Sequence, residues 1–201
     1  MADKPQWLIR EDASVPVLVA LALRQQLGVR SPEDLPVLQG LPYREPDAAD
    51  ASDALEKQWL GYWNMTVEPQ AHPASGPLEL VDGFDTLVAL PASGAAELRA
   101  AIGPLAAEAV AYARTAHERY VAAMRGSTGG SAYRAYASAI AEFEREIGRR
   151  AHSFELNVQV LPLSQRGIWW IGALTVAVTD GLRRDVVAFD RAIRPIIAEL
   201  A

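Results

Sequence analysis

The chain has 201 residues, of which 50% are hydrophobic and 22% are charged, a composition typical of one globular domain with a sizeable core. It contains no cysteine, which excludes disulfides, thiolate nucleophiles and most structural zinc sites. The formal net charge of −6 is uneven, at −8 over residues 1–90 and +2 over residues 91–201. Acidic residues are interleaved with the arginines, so we expect no nucleic-acid partner.

The N-terminus and the longest apolar run predict a cytoplasmic location. Residues 1–14 are polar and lack the basic-then-apolar pattern of a secretory signal. The run from Val15 to Leu23 is about half as long as the roughly 20 residues that cross a bilayer, so no membrane span is expected. Lys4 and Lys57 are the only lysines, and this bias towards arginine suggests a GC-rich genome.

The first helix is predicted directly after the polar N-terminus. Ser14 is a suitable N-cap, and Gly28 is placed to end the helix. The segment from Val15 to Leu23 has no polar face, so the helix is expected to be buried. A buried strand is the alternative, because periodicity cannot separate the two over so short a run.

A second helix and a hairpin are predicted before residue 91. Residues 40–53 form an acidic connector rich in Pro, Asp and Ala, and capping-box spacing then predicts a helix over residues 53–63. Two short strands, Leu78–Val81 and Phe84–Leu90, flank the turn pair Asp82-Gly83.

The middle of the chain predicts an αα-hairpin. Apolar residues recur at spacings of three and four in two stretches, separated by the glycine-rich Gly126–Gly130. Small residues in the first stretch would let bulky residues of the second approach closely, so we expect the two helices to pack on each other within the chain. Coiled-coil association between chains is the alternative use of these residues. The first stretch contains Leu98, Ile102, Leu105, Ala109, Tyr112 and Ala116, and the second contains Tyr133, Tyr136, Ile140, Phe143 and Ile147.

The last quarter predicts two strands and a helix. Phe154–Val160 and Ile168–Val178 are separated by a turn at residues 164–167 and are expected to pair as antiparallel strands. Asp185 is a suitable N-cap for the helix that follows, and Pro195 should bend its axis. The apolar stripe of this helix consists of Val186, Phe189, Ile193, Ile196 and Leu200.

These elements predict one α+β domain over residues 1–201. Its parts are the αα-hairpin, a small antiparallel sheet and the C-terminal helix. Segregated helices and adjacent hairpin strands favour this class over a parallel sheet built from alternating strands and helices.

No sequence motif indicates a metal ion or a cofactor, and we expect neither. His72, His117 and His152 are far apart in the chain and form no HExxH or HxH pattern. The chain also lacks GxGxxG, GxxxxGK[ST] and GxSxG, which weakens assignments to dinucleotide-binding, nucleoside-triphosphate-binding and α/β-hydrolase proteins.

The adjacent pair Trp169–Trp170 is the most informative local feature. Neighbouring residues of a strand point to opposite faces, so the two indoles should occupy different environments. Ile168 and Ile171 flank the pair, as expected for a central strand that is covered on both faces. A subunit interface and a ligand pocket are the alternatives.

The segment from Asn157 to Leu200 resembles small uncharacterised proteins of GC-rich Gram-positive bacteria, some of which carry the label zinc-dependent alcohol dehydrogenase. The resemblance covers about a fifth of the chain. The chain lacks the cysteines and the glycine-rich signature of that enzyme family, so the resemblance implies no activity and no site residue.

Two functions of different classes are expected. The first is a cytoplasmic interaction or assembly protein without catalytic activity, which self-associates or binds a protein partner through the apolar strand. The second is a small-molecule enzyme or binding protein whose site is assembled near residues 154–178.

The candidate residues of this second function come from several elements. Trp169 or Trp170 would form a stacking wall, Arg166 would anchor an anion, and His152 or His117 would be the acid–base group. A related prediction is an anion-binding corner at the ends of elements, made of Arg149, Arg150, His152, Arg166 and Asp180.

Overall fold

A four-stranded mixed sheet lies at the centre of the protein and has helices on both faces. The computed structural model describes residues 6–42, 44, 52–81, 88–126 and 131–201, apart from the side chains of residues 131 and 132. The order of the strands is β1-β4-β6-β5, and a separate two-stranded sheet pairs β2 with β3. The α+β class is confirmed.

Strands and helices are interspersed along the described chain. The strands are β1 (Trp7–Asp12), β2 (Leu78–Leu80), β3 (Ala89–Pro91), β4 (Phe154–Leu161), β5 (Ile168–Gly172) and β6 (Thr175–Thr179). The helices are α1 (Val15–Leu27), α2 (Asp53–Val67), α3 (Ala96–Ile102), α4 (Ala106–Gly126), α5 (Ser131–Ile147), α6 (Asp180–Arg184) and α7 (Val186–Leu200).

The main sheet is largely parallel, which differs from the sequence prediction. β1 pairs with β4 and β4 with β6 in parallel, whereas β5 and β6 are antiparallel. The predicted antiparallel pairing of Phe154–Val160 with Ile168–Val178 is wrong. The chain turns at Ala173-Leu174 and divides the second segment into two strands, and β6 then lies between β4 and β5. The sequence prediction also missed β1.

The sheet separates the hydrophobic core into two parts. On the first face, residues of α1 to α4 pack together with Leu161 and Ala177. On the second face, residues of α5 to α7 pack together with Leu156, Val158 and Val176. Both faces of β6 and of the second half of β4 are therefore covered, as expected for parallel β-structure, whereas alternate residues of β1, including Leu8, are exposed.

Both stretches of the predicted αα-hairpin are helical, but the first is divided into α3 and α4, and α4 and α5 have different packing partners. α4 packs mainly against α1, and α5 packs mainly against α7. The expected packing of α4 on α5 is therefore wrong. The small residues of α4, including Ala109, Ala113 and Ala116, lie against the first-face core. Tyr136 and Ile140 of α5 belong to the second-face core.

The helix α1 is buried on every side, as its sequence predicts. It begins after Ser14 and ends at Gly28, whose positive φ of 69° is the left-handed conformation that glycine adopts at low cost. The Ser14 side chain makes no capping bond, but its backbone N–H donates to Gln159 Oε1 at 2.8 Å. Near the other end, buried Gln25 donates to the carbonyl of Leu41 at 2.7 Å and so fixes the following loop.

The second helix and the hairpin are also confirmed. α2 begins where predicted, although Ser52 is its N-cap and accepts a bond from the backbone N–H of Leu55 at 3.1 Å. β2 and β3 pair as antiparallel strands. The predicted turn pair Asp82-Gly83, residues 84–87 of the predicted second strand and most of the acidic connector lie outside the described residues.

The C-terminal helix α7 begins at its predicted N-cap. Asp185 Oδ1 accepts a bond from the backbone N–H of Ala188 at 3.1 Å. Phe189 and Ile193 are buried as predicted, whereas Val186 is exposed. Val186 is the first residue of the helix, and Ile196 and Leu200 are partly buried against the second-face core. Pro195 lies inside the helix, and the bend that it should cause stays a prediction.

Across the described ranges, every helix is too short or too polar to span a bilayer.

Replacing Phe189 with alanine should lower the free energy of unfolding by about 3–5 kcal/mol, because the ring is fully buried and its removal leaves a cavity. Val187, on the same helix, is 68% exposed, so Val187→Ala should change stability by less than about 0.5 kcal/mol. Urea unfolding monitored by circular dichroism compares the two variants. Equal effects would show that Phe189 is not part of the core.

Candidate functional site

A cleft of about 640 Å³ opens at the edge of the sheet where the parallel strands end. It lies between the second half of α4 and the segment formed by α6 and Val186, above Glu11, Val160 and Pro162. We call it the carboxyl-edge cleft. In sheets with parallel strands and helices on both faces, ligands bind outside the carboxyl ends of the strands. The size is also in the range of small-molecule sites.

The fold itself brings the cleft residues together. Glu11 is the penultimate residue of β1, and Asp180 directly follows β6. α4 passes along the first face as far as Ala116 and then extends to the strand ends, where Tyr120 and Met124 line the cleft. The lining therefore combines segments that are far apart in the chain.

A largely buried ion pair forms the base of the cleft. Arg183 binds Glu11 with two hydrogen bonds, one from Nε to Oε1 and one from Nη2 to Oε2 at 3.1 Å. Both side chains are only 12% exposed. The hydroxyl of Tyr136 donates to Glu11 Oε1 at 2.8 Å, and the guanidinium lies 4.4 Å from the ring centroid of Phe189. Two-point pairing and stacking on a ring both suit arginine better than lysine.

The charge states in this network follow from its contacts. Burial lowers the pKa of Arg183, but its hydrogen bonds and its attraction to Glu11 outweigh burial and leave the pKa raised. The pKa of Tyr136 is raised by burial and further by the Glu11 carboxylate, so Tyr136 is a neutral donor. Removing one partner of a buried pair typically costs about 3–5 kcal/mol, because it leaves an uncompensated charge.

The other polar groups of the cleft are more exposed. Arg184 pairs with Asp180 at 3.0 Å on the surface of α6. Arg119 of α4 is exposed, and within the described part of the chain no hydrogen bond or ion pair of its guanidinium is found. Burial raises the pKa of Tyr120 to about 12, with further contributions from the carboxylates of Glu11 and Asp12. The Tyr120 hydroxyl is therefore a neutral donor near pH 7.

The structure does not bring the predicted site residues together. The backbone N–H of His152 donates to Ala201 O at 2.9 Å, just after α7 ends. Arg166 pairs with Asp185 at 2.6 Å, just before α7 begins. α7 has 15 residues, so it separates the two contacts by about 22 Å along its axis.

The predicted anion-binding corner is consequently wrong. The Arg149 guanidinium lies 3.0 Å from His152 Nε2, at the end of the sheet where β4 begins. Arg166 and Asp180 lie at the opposite end, where β4 and β6 finish. Element ends meet only when they belong to the same edge of the sheet, and these belong to different edges.

The two tryptophans of β5 occupy different faces, as predicted. Trp169 packs against the first-face core and Trp170 against the second-face core, where its Nε1 donates to Glu199 at 3.1 Å. The interpretation of their strand as central is wrong, because β5 is an edge strand. The pair therefore cannot provide one stacking wall.

His117 lies close to the cleft but its ring points elsewhere. Nδ1 is 2.8 Å from the carbonyl oxygen of Ala13, which accepts a hydrogen bond when Nδ1 carries the proton. This contact ties α4 to the connection between β1 and α1. The structure thus gives His117 a positioning contact rather than a place among the cleft residues.

The sequence prediction missed the residues that form the cleft. Glu11, Arg119, Tyr120 and Arg183 belong to no motif, and they meet only through the parallel arrangement of the strands. One available signal was the polar residue at or after a strand end, as at Glu11 and Asp180. That signal required β1 and β6 to be recognised as parallel neighbours of β4.

No protein-family model, no curated protein and no solved structure matches this chain. In the described part of the chain, histidine, aspartate and glutamate residues do not form groups of three or more that could hold a metal ion.

Alkaline titration tests the environment of Tyr120. The phenolate absorbance of the wild type minus that of Tyr120→Phe should show one group that ionises near pH 12. The folded pKa exceeds the unfolded value of 10.0, so the contribution of Tyr120 to stability is complete below pH 10 and is lost as the pH rises towards 12. When both proteins are unfolded in denaturant, the absorbance difference between them should titrate near pH 10. A native difference centred at 10 would mean that the phenol is fully solvated.

Proposed function

We propose that this protein binds a small anionic molecule in the carboxyl-edge cleft and does not transform it. The proposal depends on one observation: Arg119 and the neutral hydroxyl of Tyr120 lie at the strand ends, beside two arginines whose charges are already paired. Among the described lining residues, Arg119 is thus the cationic group available to a ligand, and Tyr120 is a second donor. A cytoplasmic location, which the sequence predicts, is part of the proposal.

The engagement of the carboxylates supports binding rather than acid–base catalysis. Glu11 already accepts bonds from Arg183 and Tyr136, and Asp180 is paired with Arg184. A general base needs a lone pair within reach of a substrate proton. The described cleft residues offer donors to a ligand more readily than acceptors.

Arg119→Gln should weaken anion binding about 10- to 100-fold, which is the effect of losing one hydrogen bond to a charged group. Binding is measured by calorimetric titration with a panel of carboxylates, phosphates and nucleotides. The ligand should also raise the melting temperature, because it binds only the folded state.

Arg145→Gln is the matched control, since it makes the same charge change at an exposed position of α5. Equal weakening by both variants would indicate a non-specific charge effect. Failure of the whole panel to bind the wild type would contradict the proposed function.

Self-association is a second candidate function. β5 is an edge strand of the main sheet, and β6 is its one strand partner within the described residues. Ile168, Trp169 and Trp170 on this edge are only partly buried. An open edge of this kind can pair with the same edge of a second copy.

Light scattering at several concentrations tests this second candidate. Association through β5 should raise the average mass with concentration, and Trp169→Lys should reduce the rise because it places a charge at the interface. A mass that equals one chain at every concentration would contradict it.

A further inference from the structure

We infer that the ligand of the carboxyl-edge cleft is an aliphatic carboxylate, a molecule with one negative charge and a flexible hydrocarbon part. This inference rests on the proposed function and adds the class of ligand. Three observations support it: the aliphatic residues of the walls, the charge balance of the lining and the exposed apolar residues at the rim.

The walls of the cleft are mostly aliphatic. Ala116, Ala123 and Met124 of α4 face Val160 at the end of β4 and Val186 at the start of α7. Tyr120 is the one aromatic ring among the described lining residues. Planar bases are usually held between aromatic or guanidinium planes, whereas small aliphatic residues and methionine suit a flexible chain.

The charge balance favours a ligand with a single negative charge. Among the described residues, three arginines and two carboxylates line the cleft, and together they have a net charge of +1. The excess belongs to Arg119, since Arg183 and Arg184 are paired with Glu11 and Asp180. A carboxylate neutralises this excess. A phosphate monoester carries about −1.5 to −2 and would place surplus negative charge beside these carboxylates.

Two apolar side chains at the rim are accessible to a hydrocarbon chain. Met124 is 42% exposed and Val186 is 48% exposed, and both line the cleft. Covering apolar surface is favourable in proportion to the area removed from water. A ligand with its carboxylate at Arg119 and Tyr120 would gain further affinity by extending its chain over these two residues.

A series of straight-chain carboxylates tests the inference. Calorimetric titration with butanoate, hexanoate, octanoate and decanoate, each below the concentration at which it aggregates, should show affinity rising about fourfold per methylene until the cleft is filled. Octyl phosphate should bind more weakly than octanoate, and octylammonium should not bind.

Ala123→Leu should weaken octanoate at least tenfold, because the larger side chain occupies the cleft from an exposed helical position. Ala122→Leu makes the same change at the neighbouring exposed residue, which does not line the cleft, and should leave binding unchanged. The melting temperatures of the two variants show whether both fold.

The outcomes separate the two proposals. Chain-length-dependent binding that requires Arg119 and is blocked by Ala123→Leu supports both. Arg119-dependent binding of short anions or nucleotides, without an increase along the carboxylate series, leaves the proposed function standing and overturns the aliphatic ligand. Absence of any Arg119-dependent anion binding overturns both.

Discussion

The rest of this structure depends on the buried ion pair between Glu11 and Arg183. β1 is an edge strand and pairs only with β4 in the described sheet, so backbone hydrogen bonds of the sheet hold β1 on one side only. Glu11 connects the end of β1 to α6, which follows the strand on the far side of β4. Tyr136 of α5 binds the same carboxylate, and Phe189 of α7 packs under the guanidinium. One side-chain pair thus joins β1, α5 and the consecutive helices α6 and α7.

The same pair also affects which charges of the cleft are open to water. Glu11 occupies the Arg183 guanidinium through two bonds, so Arg183 contributes structure rather than an open anion site. The Coulombic attraction between Glu11 and Arg183 offsets the desolvation of both charges. The hydrogen bond from Tyr136 satisfies a further lone pair of the Glu11 carboxylate. Among the described lining residues, the arginine whose charge stays open to a ligand is Arg119, which lies on the opposite wall and is in contact with water. Arg183 therefore stabilises the base of the cleft, and Arg119 is the arginine that we propose binds a ligand.

Sequence reasoning predicted the elements that carry a strong local signal. The all-apolar run of α1 and the three-and-four spacing in α5 and α7 identify helices and part of their buried faces, although Tyr133, Ile147 and Val186 are exposed. Spacing does not identify the surface that covers a face, so the predicted packing of α4 on α5 is wrong, and α1 and α7 cover these helices instead. β1 has only six residues, and the apolar run through β5 and β6 contains no strong turn signal. The cleft was unpredictable for the same reason, because Glu11 and Arg183 meet only when β1, β4 and β6 are parallel neighbours.

A double-mutant cycle on Glu11 and Arg183 tests the central role of their pair most directly. The free energies of unfolding of Glu11→Ala, Arg183→Ala and the double variant are measured in urea. We expect a coupling energy of about 2–3 kcal/mol, because each single substitution leaves the other charge buried without its partner. The exposed pair of Arg10 with Glu155, where both side chains are 54% exposed, should give less than about 1 kcal/mol in the same experiment. A coupling between Glu11 and Arg183 no larger than that of the surface pair would contradict the account.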